Sequence, residues 1–354
     1  MDSYFRWRLY LFICLVCLVL YLGPRNDLLT ILFMKLSIII PAYNVEKYIE
    51  CCIRSCVDQA PISLGDDYEI IVVNDGAKDA TPEILESLKF EIPELKIVHQ
   101  ENQGLSGARN AGLNIAQGDF VWFVDGDDTI EKNCLKDLEG ALKKEFDAVQ
   151  IYANTINGEI LEPRAVFNYT GAKSGDQLLI ENNVCCCAPF TIYNRDFLNK
   201  NDLRFCYGIF HEDNEFTPRA YHYAKHVVSY PHFLYFVTMN PMSITHVPNP
   251  KRSFDCLKIA DNLLKFKREQ GIDKNKKMNA CFSDHIGQVC SNAFSMILQN
   301  KNNPHNRFYV QLSQHRAAFK DMWYSNKIKY KLYSILMLMI SFVPKFSAFL
   351  FRFV

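Results

Sequence analysis

The feature that most constrains this chain is an alternation. From position 34 to about 152, short apolar runs take turns with stretches whose apolar residues recur every three or four positions. Residues 36–40 form one such run, closed by Pro41, and 68–73, 95–99, 119–124 and 147–152 repeat it. Between the first two, Val45, Tyr48, Ile49, Cys52, Ile53, Cys56 and Val57 share one face, which predicts a helix over about 46–58 with Asn44 as its cap. Thr81-Pro82-Glu83 offers a cap, a proline at the first helical position and an acid in the first turn, predicting a helix over about 82–89. Further helices are expected over 105–116 and about 131–144. Repeated strand–helix units specify an α/β fold with a Rossmann-like, mainly parallel, doubly wound sheet. Such a sheet gathers the C-terminal ends of its strands on one edge, where ligands bind.

Beyond 152 the alternation weakens. Asn157-Gly158 and Gly171 are turn signals, 212–223 reads as a helix that must hold or kink at Pro218, and 227–230 and 233–237 read as two short strands. From 254 to about 319 the pattern is helical with polar faces. Lys-Ile-Lys-Tyr-Lys at 327–331 then leads into an apolar run at 332–343, followed by Lys345 and an aromatic tail with Arg352. Basic residues beside apolar and aromatic ones suit a helix lying in a membrane interface; the alternative is a C-terminal helix docked on the core. At the other end, 9–22 is unbroken apolar, with Arg6 and Arg8 before it and Arg25 after. It is short for a span, which takes roughly twenty residues, and no small-residue cleavage site follows. A membrane anchor, a signal segment and a start upstream of the working Met34 are all compatible with it. The expected division is an apolar segment 1–33, an α/β domain 34–250, and a helical region 251–354 with a membrane-associating tail.

Composition excludes some functions. The formal net charge is zero, so the basic excess of a nucleic-acid-binding surface is missing. Thirteen cysteines do not make a disulfide framework. Cys185-Cys186-Cys187 are consecutive, Cys51, Cys52 and Cys56 fall on or beside one helical face, and the Cys14/Cys17 pair has no second pair to complete a zinc site. Reduced thiols are the simpler account.

Four clusters follow strand ends. Pro41-Ala42-Tyr43-Asn44 offers a tyrosine face for stacking; it carries neither the G-x-G-x-x-G fingerprint nor a P-loop. Asn74-Asp75-Gly76 places a carboxylate where it can bond a ligand imide or ribose, or simply form a turn toward Thr81. Asn102 to Gly112 combines glycines that permit close backbone approach with Arg109, which one turn into a helix can reach a phosphate or stay solvated. Asp125-Gly126-Asp127-Asp128 ends the run 120–124 in three carboxylates, which repel each other unless a cation or a hydrogen-bond network compensates. Hard carboxylate oxygens suit Mg²⁺ or Mn²⁺ held jointly with a diphosphate; a solvated acidic turn is the other reading.

Together, S-I-I-I-P-A-Y-N, V-V-N-D-G, N-Q-G-L-S-G-A-R-N-A-G and F-V-D-G-D-D, in that order, resemble the family 2 glycosyltransferases with the GT-A fold, of the bacterial surface-polysaccharide type. The resemblance is dense over 35–130 and thinner through His211-Glu212-Asp213 and the segment 235–245. Asn74 and Ala77-Lys78 depart from the usual pattern without touching Asp75. The resemblance implies a nucleotide half at 34–130 and an acceptor half at 131–250. It implies that Pro41, Tyr43, Asp75, Arg109 and Asp125 bind the nucleotide sugar, with Tyr43 stacked on a uracil and Asp75 hydrogen-bonded to it. It implies that Asp127, with Asp125, holds Mn²⁺ or Mg²⁺, that Asp213 is the general base of an inverting transfer, and that Asp128 is a helix-start residue without chemistry. His246 is a weaker candidate on the diphosphate. The implied partners are a nucleotide-sugar donor, a glycan or lipid-linked acceptor and a membrane surface, with the protein on the cytoplasmic side of the cell membrane. A non-catalytic sugar-nucleotide-binding scaffold is the alternative, against which an intact Asp213 speaks.

Overall fold

A computed structural model describes residues 36–342, apart from 139, 159, 241–248, 300–307 and 309. The expectations for 1–33, His246 and the tail beyond 342 lie outside these residues. Strands β1 (Leu36–Ala42), β2 (Tyr68–Asn74), β3 (Lys96–His99) and β4 (Phe120–Phe123) pair in parallel in the order β3-β2-β1-β4. Successive side chains point to opposite faces, and both faces are covered, which is why these strands read as continuous apolar runs. Ile38, Ile40, Ile70, Val72 and Trp122 pack with Ile49, Cys52, Ile53 and Cys56 of helix α1 (Ile49–Val57) and with Leu85 and Leu88 of α2 (Thr81–Glu91). Ile39, Ile71, Val73 and Phe123 face α3 (Gly104–Ile115). That helix lies close to β1 because Gly112 has no side chain: a Cβ there would stand 2.3 Å from Ile39 Cγ2.

Five further strands, β5 (Thr129–Ile130), β6 (Ala148–Asn157), β7 (Ile160–Ala165), β8 (Thr191–Asn194) and β9 (Val227–Thr238), extend the sheet in the order β4-β8-β6-β9-β5, with β7 on β6. β8 is antiparallel to both β4 and β6, while β9 runs parallel to β6. The expected pair of strands at 227–230 and 233–237 is thus one bent strand. Its register against β6 shifts between Tyr230 and Phe233, and Pro231, which has no N–H to donate, falls in that bulge.

Two expected helices are corrected. The first begins at Ile49, because Asn44 is left-handed (φ 54°) and its side chain accepts from the Lys78 N–H at 2.8 Å. The helix expected over 131–144 shrinks to α4 (Cys134–Leu138), because 129–130 joins the sheet and the Glu131 N–H donates to Leu234 O. The helices α5 (Gly175–Ile180), α6 (Arg195–Lys200), α7 (Glu212–Tyr223), α8 (Pro250–Glu269), α9 (Lys276–Gln299), α10 (Arg316–Asp321) and α11 (Ile328–Phe342) follow. α7 runs on through Pro218. The change to helices near 250 is no break in the core. Leu257, Ile259, Phe282, Ile286 and Met337 share one apolar cluster with Ile39 and Phe123. Buried Lys267 ties α8 to α9 and α10 through Ser283 and Asp321, each at 2.8 Å. The cysteines among the described residues are free, and none of these helices is long and apolar enough to cross a membrane.

Candidate active site

Register brings the strand ends together. β1 pairs Ala42 with Asn74, and its start pairs with that of β4, so the chain leaves the sheet three times side by side. The Asp75 N–H donates to Ala42 O and the Val124 N–H to Ile39 O, each at 2.9 Å. Tyr43, next after β1, is 46% exposed and presents an open ring. Asp75 is buried, and its Oδ1 accepts from the Gln100 side chain at 2.7 Å and from the Gln103 N–H at 2.8 Å. Pro41 is buried within β1. Its carbonyl is the seat of the acidic loop: a Cβ on Gly126 would stand 2.8 Å from Pro41 O, so only glycine lets that loop lie against the end of β1.

The residues alone leave Arg109 solvated or aimed at a phosphate, and the resemblance assigns it to the nucleotide sugar. The structure buries it to 2% exposure and bonds it to two carboxylates, Asp125 Oδ1 at 2.7 Å and Glu212 Oε1 at 2.6 Å, with Phe205 beneath its guanidinium. The neighbouring Asn110 clasps the Phe205 backbone, donating to its carbonyl at 2.8 Å and accepting from its N–H at 3.0 Å. Two adjacent residues of α3 therefore fix the approach to α7. Glu212 opens that helix and Asp213 follows it, so Asp213 stands at the same edge as Asp125. Burial first, and Glu212 next, push the Asp213 carboxyl up to about 7, against the pull of Arg109. Its Oδ1 accepts from the Asn214 N–H at 2.8 Å. The first turn of α7 also favours it, as it favours any carboxylate there. Glu212 itself is raised by burial, with Arg109 opposing. His211, left-handed just before α7, is lowered to about 4 by burial and by Arg252, so it is neutral at neutral pH.

The rest of the acidic loop is held from β9. Asp127 Oδ2 accepts from the Asn240 amide at 2.9 Å, and burial and Asp125 raise its carboxyl. Asp128 is not the helix-start residue expected of it. It is buried, its Oδ2 accepts from the Tyr235 hydroxyl at 2.7 Å and its Oδ1 from the Thr238 N–H at 2.8 Å. Burial, with Asp125 and Asp127 beside it, lifts Asp128 to about 8. The same Tyr235 oxygen accepts from the Asp125 N–H at 3.1 Å. Tyr235 and Asn240, to which no sequence motif assigns this role, thus anchor the loop. Cys185, Cys186 and Cys187 are half-buried beside the site, and burial first, with Asp213 next, pushes their thiols up.

Among the described residues no three His, Cys, Asp or Glu side chains are grouped to hold a metal ion. The donor set nevertheless suits a hard divalent cation that takes its remaining ligands from a substrate. Asp127 carries a carboxylate whose charge burial and its acidic neighbour disfavour, with the Asn240 amide donating to one of its oxygens.

Comparison with known proteins shows the family and the fold. The sequence model of glycosyl transferase family 2 matches residues 37–201. The chain is 31% identical over 274 residues to the uncharacterized glycosyltransferase EpsJ of Bacillus subtilis (strain 168), covering 75% of this chain and 77% of EpsJ. It is 34% identical over 198 residues to the poly(ribitol-phosphate) beta-N-acetylglucosaminyltransferase TarS of Staphylococcus aureus (strain MW2), covering 55% of this chain and 34% of TarS. The crystal structure of S. aureus TarS 1–349 in complex with UDP-GlcNAc superposes with a TM-score of 0.57 at 24% identity, over 82% of this chain and 90% of that one, and so shares the fold. The chain belongs to glycosyltransferase family 2, with a GT-A-like α/β fold.

Proposed function

We propose that this glycosyltransferase moves a sugar from a UDP-sugar to a hydroxyl of a glycan or lipid-linked acceptor in bacterial polysaccharide synthesis, by a single inverting displacement. The observation that carries the reading is the Arg109 bridge from Asp125 to Glu212, which keeps Asp213 beside the acidic loop. Tyr43 and Asp75 flank the nucleobase, as a stacking face and a hydrogen-bonding carboxylate. The UDP-GlcNAc complex of TarS supports a donor of this class.

Asp213 takes the proton from the acceptor hydroxyl as that oxygen attacks the anomeric carbon. The C–O bond to the diphosphate breaks on the opposite face, and negative charge grows on the leaving oxygen. Asp127, with Asp125, would hold Mn²⁺ or Mg²⁺ against the diphosphate, and such an ion supplies Lewis-acid stabilisation of that charge. A burial-raised carboxyl is a stronger base than an ordinary aspartate, which suits Asp213 to its task near neutral pH. Arg109 orients Asp125 and Glu212 from beneath.

The test is a panel of nucleotide sugars with Mn²⁺, scored for UDP release with and without Asp213→Asn, and product anomeric configuration by NMR. The expected result is UDP release that depends on Asp213 and inversion at the anomeric carbon. Retention of configuration, or near-normal turnover of Asp213→Asn, overturns the reading.

A further inference from the structure

The last described helix has two apolar faces, and the fold uses one. On the inner face of α11, Tyr330, Met337 and Ile340 are buried together with Ser334 and Ser341. Tyr330 sits against Gly287 of α9, where a Cβ would stand 2.5 Å from its ring. That contact fixes the rotation of α11. On the outer face, Ile328, Leu332, Ile335, Met339 and Phe342 recur at three- and four-residue spacing and are exposed, Ile328 by 74% and Met339 by 63%. A surface helix normally turns polar residues to water here.

The border of this stripe is basic. Lys327, Lys329 and Lys331 surround its start, and at its end Arg316 lies over the Phe342 ring at 4.1 Å and donates to Ser341 O at 2.6 Å. Trp323 and Tyr324, also exposed, precede the helix in a short turn packed against it. After Asp321 the sequence contains Lys327, Lys329, Lys331, Lys345 and Arg352 and no Asp or Glu. A symmetric contact with a second copy would set this basic border against itself. An anionic lipid surface complements it, and tryptophan and tyrosine favour the headgroup level. Fifteen residues reach only about 22 Å, short of a hydrocarbon core of about 30 Å, so the helix suits the plane of the interface.

We propose that α11 binds an anionic bilayer surface, with the stripe from Ile328 to Phe342 in the acyl boundary and the lysines on lipid phosphates. This surface is independent of the transfer chemistry. The test is flotation of the full chain with vesicles of phosphatidylcholine alone or mixed with phosphatidylglycerol. Three lysines at about fivefold each predict on the order of a hundredfold preference for the anionic vesicles, falling with salt. Leu332→Glu with Met339→Glu, both on the exposed face, should abolish flotation while circular dichroism and melting stay as in the parent. Should that pair not fold, Gln at 327, 329 and 331 keeps the stripe and should remove the anionic preference. Flotation unchanged by the acidic pair, including flotation supported by 1–33 alone, overturns the proposal. So does a wild-type chain that ignores both vesicles, or one that forms a dimer which the acidic pair dissociates while ignoring lipid.

Discussion

Replacing Arg109 by methionine keeps the approximate length and apolar stem of the side chain while removing the charge that neutralises two carboxylates. Glu212 is 7% exposed and Asp125 29%, so water cannot stand in for the guanidinium at Glu212. Breaking a buried ion pair from one side costs about 3–5 kcal/mol, because an uncompensated charge stays behind. For a chain this long, about 2 °C per kcal/mol converts that to a fall in Tm of roughly 6–10 °C. The pH dependence follows from the surviving partner. The folded-state pKa of Glu212 is already raised by burial, and losing Arg109 raises it further. A carboxylate raised in the folded state binds more protons there than in the unfolded chain, so stability falls as pH rises through that window. The loss in Arg109→Met should therefore be larger at pH 8 than at pH 5. Adding Glu212→Gln should restore part of it, since the stranded charge goes. Differential scanning calorimetry of the two single variants and the double, at both pH values, makes the comparison. A Tm within about 2 °C of the parent, a loss independent of pH, or purely additive losses in the double variant would refute this account of Arg109.

Other expectations follow from the same site. Asp213→Asn should lower kcat by about 10²–10⁴-fold with donor affinity unchanged in calorimetry. In the parent, activity should fall as pH drops through about 7, because the base must be ionised; a limb near the ordinary aspartate range would contradict this. Asp127→Ala should abolish Mn²⁺-dependent donor binding, and unchanged affinity with Mn²⁺ would refute its role. Tyr235→Phe should cost about 1–3 kcal/mol in urea unfolding, since buried Asp128 loses a donor and the Asp125 N–H loses its acceptor. Gly126→Ala should weaken donor binding while the protein stays folded, because the Cβ would press on Pro41 O.

The segment 34–130 was legible because its information is local. Apolar runs such as 68–73 and the proline in the first turn at Pro82 carry their own meaning, although Thr81 lies inside the helix and accepts from the Val45 N–H rather than capping it, and parallel pairing then brings Tyr43, Asp75 and Asp125 to one edge. What failed was long-range. The partner of Arg109, Glu212, lies 103 positions away, and that of Asp128, Tyr235, 107. Asp128 looks like the start of a helix to any local reading; only the arrival of β9 makes it a buried anchor. The shortened α4 has the same cause, since β9 draws 129–130 into the sheet. Asn240 is an unremarkable residue beyond a strand end, and no local signal distinguishes it.

The clasp between Asn110 and Phe205 and the bridge from Arg109 to Glu212 also define where such an enzyme can be recombined. The family match ends at 201, but Asp213, Tyr235 and Asn240 all come after it. A chimera joined near 201 would bring the strand ends with Asp75 and Asp125 from one parent and Asp213, with the residues that anchor the acidic loop, from another. It would align only where both parents place the same four-residue latch across the seam. Recombining relatives therefore calls for a junction after 240, or for carrying Arg109 and Asn110 together with the segment from Phe205 to Glu212.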